Sequence, residues 1–335
     1  DAMMRFRRLA AGIGIGGAFA YYKFKRTVEL PQSFVLDVDL SSVSLDEAKP
    51  SPSALNFASQ TNRMLLREAL GAIDTAASDE RVTGLCLRLG SAGEGGVRSL
   101  AAAQELRAAL RAFSESKRLS AGVSAATEAP PAEKEYTVAW ADAYAGTYSF
   151  YVGTGCERVL CQPDSVVQLP SLTVTTPYLQ RLLGRYGVSV QTVRRGEYKS
   201  AFEPLTECRP SKASQRNTRE LLANLFGQIA PAVLSARLEA SGAQLGFFGR
   251  WRAQRRFRRL ISRGFITAEE ALDEGMLDGV LYADELGEYL SSRFGTSKKC
   301  AIGRYTRSLQ QLKARDRVIA AATEQCAKAT HAAKA

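Results

Sequence analysis

A single histidine, His331, serves a chain of 335 residues. That scarcity argues against Ser-His-Asp and Cys-His catalysis and against any His-rich metal site. The six cysteines (Cys86, Cys156, Cys161, Cys208, Cys300 and Cys326) contain no CxxC pair. Neither a zinc site nor a disulfide framework is expected, which fits a reducing compartment. The glycine loop after the strand ending at Leu89 lacks the spacing of GxGxxG and of the P-loop lysine motif, so no nucleotide site is expected there and no cofactor is expected. The glycine loop Gly90–Gly96 reads as a strand-to-helix turn, with phosphate cradling or oxyanion donation as the alternative. The apolar segment Leu9–Tyr22 has 14 residues, short of the ~20 that a full membrane span uses. Arg5, Arg7 and Arg8 before it and Lys23, Lys25 and Arg26 after it could snorkel. A short anchor with lipid contact over residues 9–22 is preferred to a targeting remnant or an interfacial arm. Gly12 and Gly16 have the small-xxx-small spacing that suits close packing against another membrane helix.

Acid is the scarcer charge. Lys and Arg number 45 against 34 Asp and Glu, for a net +11. Residues 1–26 hold six basic residues against Asp1, and residues 297–335 hold nine against Asp316 and Glu324. The stretch between is close to neutral. Nucleic-acid recognition would need a basic face on the fold itself, so no specific nucleic-acid partner is expected.

Between these ends the pattern alternates. Ser33–Leu40, Val82–Leu89, Leu119–Ala125, Tyr136–Ala141, Arg158–Cys161 and Val188–Arg194 read as strands. Residues 61–78, Arg98–Ser114, Ser149–Cys156, Pro177–Tyr186, 212–240 and 283–293 read as helices. Residues 41–55 read as a loop. Thr267 followed by Glu270 is a capping box. The tail from Ser297 has helical propensity and a basic, polar surface without a core face. This alternation predicts an α/β fold with a largely parallel sheet.

Four segments in order, "VLDVDL" (Val35–Leu40), "DERVTGLCLRL" through "AQELRAALRAF" (Asp79–Leu89, Ala103–Phe113), "SFYVGTGCERVLCQP" (Ser149–Pro163) and "GVSVQTVRRGEYKSAFEPLTE" (Gly187–Glu207), resemble protease IV. This is the signal peptide peptidase A family of membrane-bound serine peptidases. The likeness is nearest the amino-terminal unit of its long form and extends over about residues 33–293. It implies a ClpP/crotonase-like fold over residues 27–296, behind an anchor in 1–26 and before a docking tail in 297–335. It also implies a Ser-Lys dyad, in which a lysine made neutral by burial or nearby positive charge accepts the serine proton. Lys199 falls on the lysine of that dyad. The family's Ala-Ser-Gly-Gly-Tyr-Tyr turn corresponds to "GTYSFY", which puts Thr147 at the serine position. Tyr148 and Ser149 then stand where the family has two glycines. Ser149 is the alternative nucleophile, displaced two residues along the turn. No second unit is recognised after residue 293, so catalysis is not expected unless another chain supplies the serine. Lys199 has a structural alternative, an ion pair with Glu197 or Glu203 or a place as a solvated loop residue.

The stretch "GFFGRWRAQRRFRRL" (Gly246–Leu260) interleaves arginine with aromatics. Trp251, Arg255, Arg256, Arg258 and Arg259 are candidate contacts for an anionic membrane or an acidic partner, with a solvated helix as the alternative. The expected function is that of an inactive, accessory subunit of an organellar membrane complex. Its setting is the mitochondrial inner membrane, with plastid thylakoid or bacterial inner membrane as alternatives. Other protein subunits, in a homo- or hetero-oligomer, are the expected partners. The competing reading is an active Ser/Lys signal-peptide peptidase with Lys199 as general base.

Overall fold

The computed structural model describes residues 30–47, 62–90, 96–122, 135–145, 148–169, 172–242, 246–312, 314, 316, 317 and 320. The expected anchor, including Gly12 and Gly16, lies outside them.

The central sheet is built from β1 (Phe34–Asp39), β4 (Val82–Leu89), β5 (Thr137–Ala141), β6 (Arg158–Cys161), β9 (Gly279–Val280) and β10 (Lys299–Ala301). Their order is β10-β1-β4-β5-β6-β9, and every pair is parallel. Two-residue periodicity sorts their side chains between two cores. Phe34, Leu36 and Val38 of β1, Leu85, Leu87 and Leu89 of β4, and Val159 and Cys161 of β6 join one core. Val35, Cys86, Val138, Trp140 and Leu160 join the other. Burial on both faces explains why these strands are nearly continuous apolar runs.

The first core is covered by α1 (Leu66–Ser78) and α2 (Leu100–Ser120), through Ala69, Ile73, Ala76, Leu106, Leu110 and Phe113. The second is covered by α9 (Leu286–Phe294), whose Leu286, Leu290 and Phe294 are buried. Here α9 approaches so closely that a Cβ on Gly84 would lie 2.4 Å from the Phe294 ring. Two further pairs flank the sheet. β2 (Val43–Asp46) runs parallel to β3 (Asn62–Leu65), and β7 (Val166–Gln168) runs antiparallel to β8 (Phe265–Thr267).

After β7 the chain leaves the core. Residues 172–211 form an arm with two short helices, α4 (Gln180–Arg185) and α5 (Glu203–Thr206). The chain returns along α6 (Lys212–Ala240), whose Ile229, Ala230, Val233 and Arg237 are buried. By length and composition α6 could cross a membrane. Its carboxyl-terminal half is instead fixed to the domain by those residues. Arg237 forms a bidentate pair with Asp278 at 2.8 and 2.9 Å and donates to the Gly275 carbonyl at 3.0 Å. Next come α7 (Phe247–Ile261) and α8 (Ala268–Asp273). As expected, the Thr267 hydroxyl caps α8 by accepting from the Glu270 amide at 3.2 Å, but the Glu270 carboxylate pairs with Arg263 instead of completing the capping box.

Several expected elements differ. The strand expected at Leu119–Ala125 begins inside α2, which runs on to Ser120 because Phe113, Ser114 and Lys117 continue its buried stripe. The Lys117 ammonium donates to the Asp79 carbonyl at 2.7 Å. Residues 188–194, expected as a strand, have no ladder partner among the described residues and are largely exposed. Their alternation never meets a sheet edge. The loop expected over 41–55 contains β2, and the helix expected from residue 61 is preceded by β3. The basic tail expected from Ser297 starts within the domain. β10 closes the sheet edge against β1, and the helix over 302–312 buries Ile302, Tyr305 and Ser308. Its core face was missed because it consists of few residues spread over a strand and a helix.

Candidate functional site

The two halves of the expected dyad sit on different parts of the fold. One half is the turn after β5. Thr147 lies outside the described residues, and the turn resumes at Tyr148, which precedes α3 (Ser149–Gly153). Phe150 and Tyr151 are buried, and Phe150 meets Tyr144 edge-on with ring centroids 5.4 Å apart. The Tyr144 hydroxyl donates to the Leu160 carbonyl at 3.1 Å. Packing thus fixes α3 against the sheet, and Ser149 stands half-buried at its first position.

The other half is on the arm. Gly196 has a φ of +99°, the left-handed region that glycine enters at no steric cost. It turns the chain so that the Lys199 amide donates back to the Gly196 carbonyl at 3.5 Å. The Lys199 side chain is exposed, and among the described residues it has no ion pair and no hydrogen bond to Ser149. The burial that a neutral lysine base requires is not supplied by its surroundings here.

The expected pairing of Lys199 with Glu203 does not occur, and neither does one with Glu197. The Arg194 guanidinium donates to Glu203 Oε1 at 3.0 Å, and the Ser211 amide donates to Oε2 at 3.1 Å. Glu203 is 1% exposed. Burial pushes its carboxyl upward, but the Ser211 hydrogen bonds and Arg194 outweigh this and hold it below the usual carboxylate range. The Leu179 amide donates to the Pro204 carbonyl at 2.7 Å, tying α4 to α5. The arm therefore folds on itself, with Lys199 facing outward. Tyr186, Val188, Val193, Tyr198 and Phe202, all on this arm, are exposed as well.

A third cluster occupies the carboxyl ends of β1 and β4. Arg88 bridges Asp37 at 2.9 Å and Asp39 at 3.0 Å, and Asp39 accepts from the Ser41 amide and hydroxyl. Gly96, at the end of the glycine loop, exchanges backbone hydrogen bonds with β2 at 3.0 and 3.2 Å, and residues 91–95 of that loop lie outside the described residues. Among the described residues no group of His, Cys, Asp and Glu could hold a metal ion.

On α7, Phe257, Leu260 and Ile261 are buried, while Trp251, Arg255, Arg258 and Arg259 are exposed. The Arg255 guanidinium stacks over Trp251 at 5.5 Å. Arg256 pairs with Glu274, so its role here is partly structural.

Sequence reasoning overlooked Arg194 as the partner of Glu203, although both lie in the motif it singled out. It also overlooked the Arg237–Asp278 pair. Only tertiary structure brings the latter two together, since 41 residues separate them.

Residues 132–241, which contain Ser149, Lys199 and Glu203, match the family model "Peptidase family S49". The chain is 25% identical over 153 residues to "Serine protease SPPA, chloroplastic" from Arabidopsis thaliana. That match takes in 46% of this chain and 21% of the relative, so the chain spans about a fifth of the curated relative's length. Among solved structures it is similar to a mutant of the "1510-N membrane-bound stomatin-specific protease", with 11% identity and a TM-score of 0.37. That alignment covers 81% of this chain and 98% of the other. It is also similar to an enoyl-CoA hydratase/isomerase family member, with 13% identity and a TM-score of 0.33, over 68% and 63% of the two chains. The parallel α/β sheet and the match over residues 132–241 agree with the sequence motifs, and in this segment the chain is similar to the SppA type of peptidase family S49.

Proposed function

We propose that this chain is a catalytically inactive SppA-type subunit that serves as an accessory scaffold in a membrane-bound organellar assembly. The observation that carries this reading is the surroundings of Lys199. It stands in solvent, Glu203 is taken by Arg194, and no hydroxyl is hydrogen-bonded to the ammonium among the described residues. Threonine in place of the family's serine, with Tyr148 and Ser149 in place of its glycines, supports the same conclusion, because bulkier residues obstruct backbone approach to a substrate. The assembly role is supported by the exposed apolar side chains of the arm, a concentration that marks protein interfaces. The proposed setting is the mitochondrial inner membrane. The chloroplastic relative supports the plastid alternative.

A fluorophosphonate probe tests inactivity, with no labelling expected. Native sizing in mild detergent tests the assembly, with migration in a large complex expected and a free monomer counting against it.

One observation favours a second reading. Lys199 shares the arm with those exposed apolar residues, so a chain covering the arm could bury the lysine beside a hydroxyl of its own. The chain would then be an active Ser/Lys peptidase in its oligomer. Probe labelling of the native assembly that Lys199→Ala abolishes would establish it.

A further inference from the structure

Helix α7 carries six arginines and no acid. Its inward stripe is Phe257, Leu260 and Ile261, all buried. At about 100° per residue, the direction opposite that stripe falls on Arg255. Phe248, Trp251, Arg252, Arg258 and Arg259 lie within about 60° of Arg255 on either side. Phe248 is 79% exposed and Trp251 52% exposed. Arg252, Arg255, Arg258 and Arg259 are exposed and have no carboxylate partner among the described residues. Arg256, at the edge of this face, is the one neutralised by Glu274. The helix thus presents Phe248, Trp251 and four unneutralised arginines on one side, directly away from the core, while Arg250 lies toward the inward stripe.

We propose that this outer face of α7 docks on an anionic lipid bilayer. Charge complementarity selects a negative surface. The exposed indole and phenyl rings select a lipid interface over an acidic protein groove. Trp prefers the headgroup level, and each ring would bury apolar area there while the arginines pair with phosphates. Arg255 stacked on Trp251 keeps a cation at the ring that would enter. The inference does not depend on whether the chain is a peptidase, and it shares only a membrane setting with the function proposed above.

Tryptophan fluorescence of the full chain provides a site-specific test that any contact by residues 9–22 does not imitate. The protein has two tryptophans, and the other, Trp140, is 7% exposed. Subtracting the spectrum of Trp251→Phe isolates the α7 signal. Phosphatidylcholine vesicles containing about one-third phosphatidylserine should shift Trp251 emission to the blue and cut its iodide quenching several-fold, and pure phosphatidylcholine vesicles should not. Roughly 1 M salt should abolish the effect. The triple reversal R252E/R255E/R259E, at exposed positions, should weaken it by ~100-fold or more while leaving the thermal transition in place. An unchanged Trp251 signal on anionic vesicles overturns the proposal. So does a shift produced by polyglutamate but not by vesicles, which would assign the face to an acidic protein.

Discussion

Arg194 and Glu203 close the arm on itself. The guanidinium donates to the carboxylate at 3.0 Å, Arg194 remains 44% exposed, and Glu203 is 1% exposed. One partner faces solvent and the other is sealed, so the pair acts as a clasp whose inner half depends on the outer. This clasp occupies an acid that would otherwise be close enough in sequence to serve Lys199.

Removing the outer half leaves a buried carboxylate held only by Ser211. Arg194→Ala is expected to lower local stability by about 1–2 kcal/mol, discounted for the exposure of the arginine. Limited proteolysis should then cut more readily within residues 188–200, with the global transition little changed. Equal protection in wild type and variant would show that the clasp does not organise the arm.

The same clasp has a pH signature. The Glu203 carboxyl is held below its usual range in the folded arm, so the folded form binds fewer protons than the unfolded form. Its stabilising contribution is therefore complete above the unfolded glutamate range near about pH 4.3 and is lost as pH falls through the lower folded value. Protease protection or hydrogen exchange of the arm should hold from neutral pH down to about pH 5 and weaken below about pH 4. Glu203→Gln should remove that acid-dependent step.

Arg237 and Asp278 form the pair that fixes α6 to the sheet edge, 6% and 7% exposed. Asp278 also accepts from the Val159 amide at 2.8 Å. Asp278→Ala leaves a buried guanidinium without its anion and is expected to cost about 3–5 kcal/mol. Urea unfolding reads this as a lower midpoint. Arg237→Met in the same background should recover part of the loss by removing the stranded charge.

The sheet was legible in the sequence because its strands are apolar on both faces, and Val82–Leu89 and Arg158–Cys161 were bounded as observed. Thr267 was legible as a cap because capping depends on a local three-residue spacing. Elements decided by distant partners were not legible. Residues 188–194 alternate as a strand does but reach no neighbour, while Lys299–Ala301 is too short and basic to suggest a strand and becomes one beside β1. At the site, the motif carried the resemblance to the family and drew attention to Lys199. Which cation Glu203 would take depended on side-chain direction, and spacing does not encode that.

Tyr305 tests whether the segment after Ser297 belongs to the domain. It is fully buried, packs near Phe34 at 6.0 Å, and its hydroxyl donates to Asp79 at 3.0 Å. Tyr305→Ala is expected to destabilise by about 3–5 kcal/mol, and Tyr305→Phe by about 1 kcal/mol. Truncation after residue 297 should lower the thermal transition, whereas truncation after 312 should not. Only removal of residues 313–335 is therefore a clean test of docking by the tail.

The central claim is that Lys199 in this chain is not a working base. Fluorophosphonate labelling of the native, detergent-solubilised assembly tests it most directly, with wild type and Lys199→Ala run side by side. The account predicts no labelling that depends on Lys199 on any chain of the assembly. Labelling of the wild type that disappears on Lys199→Ala would contradict it.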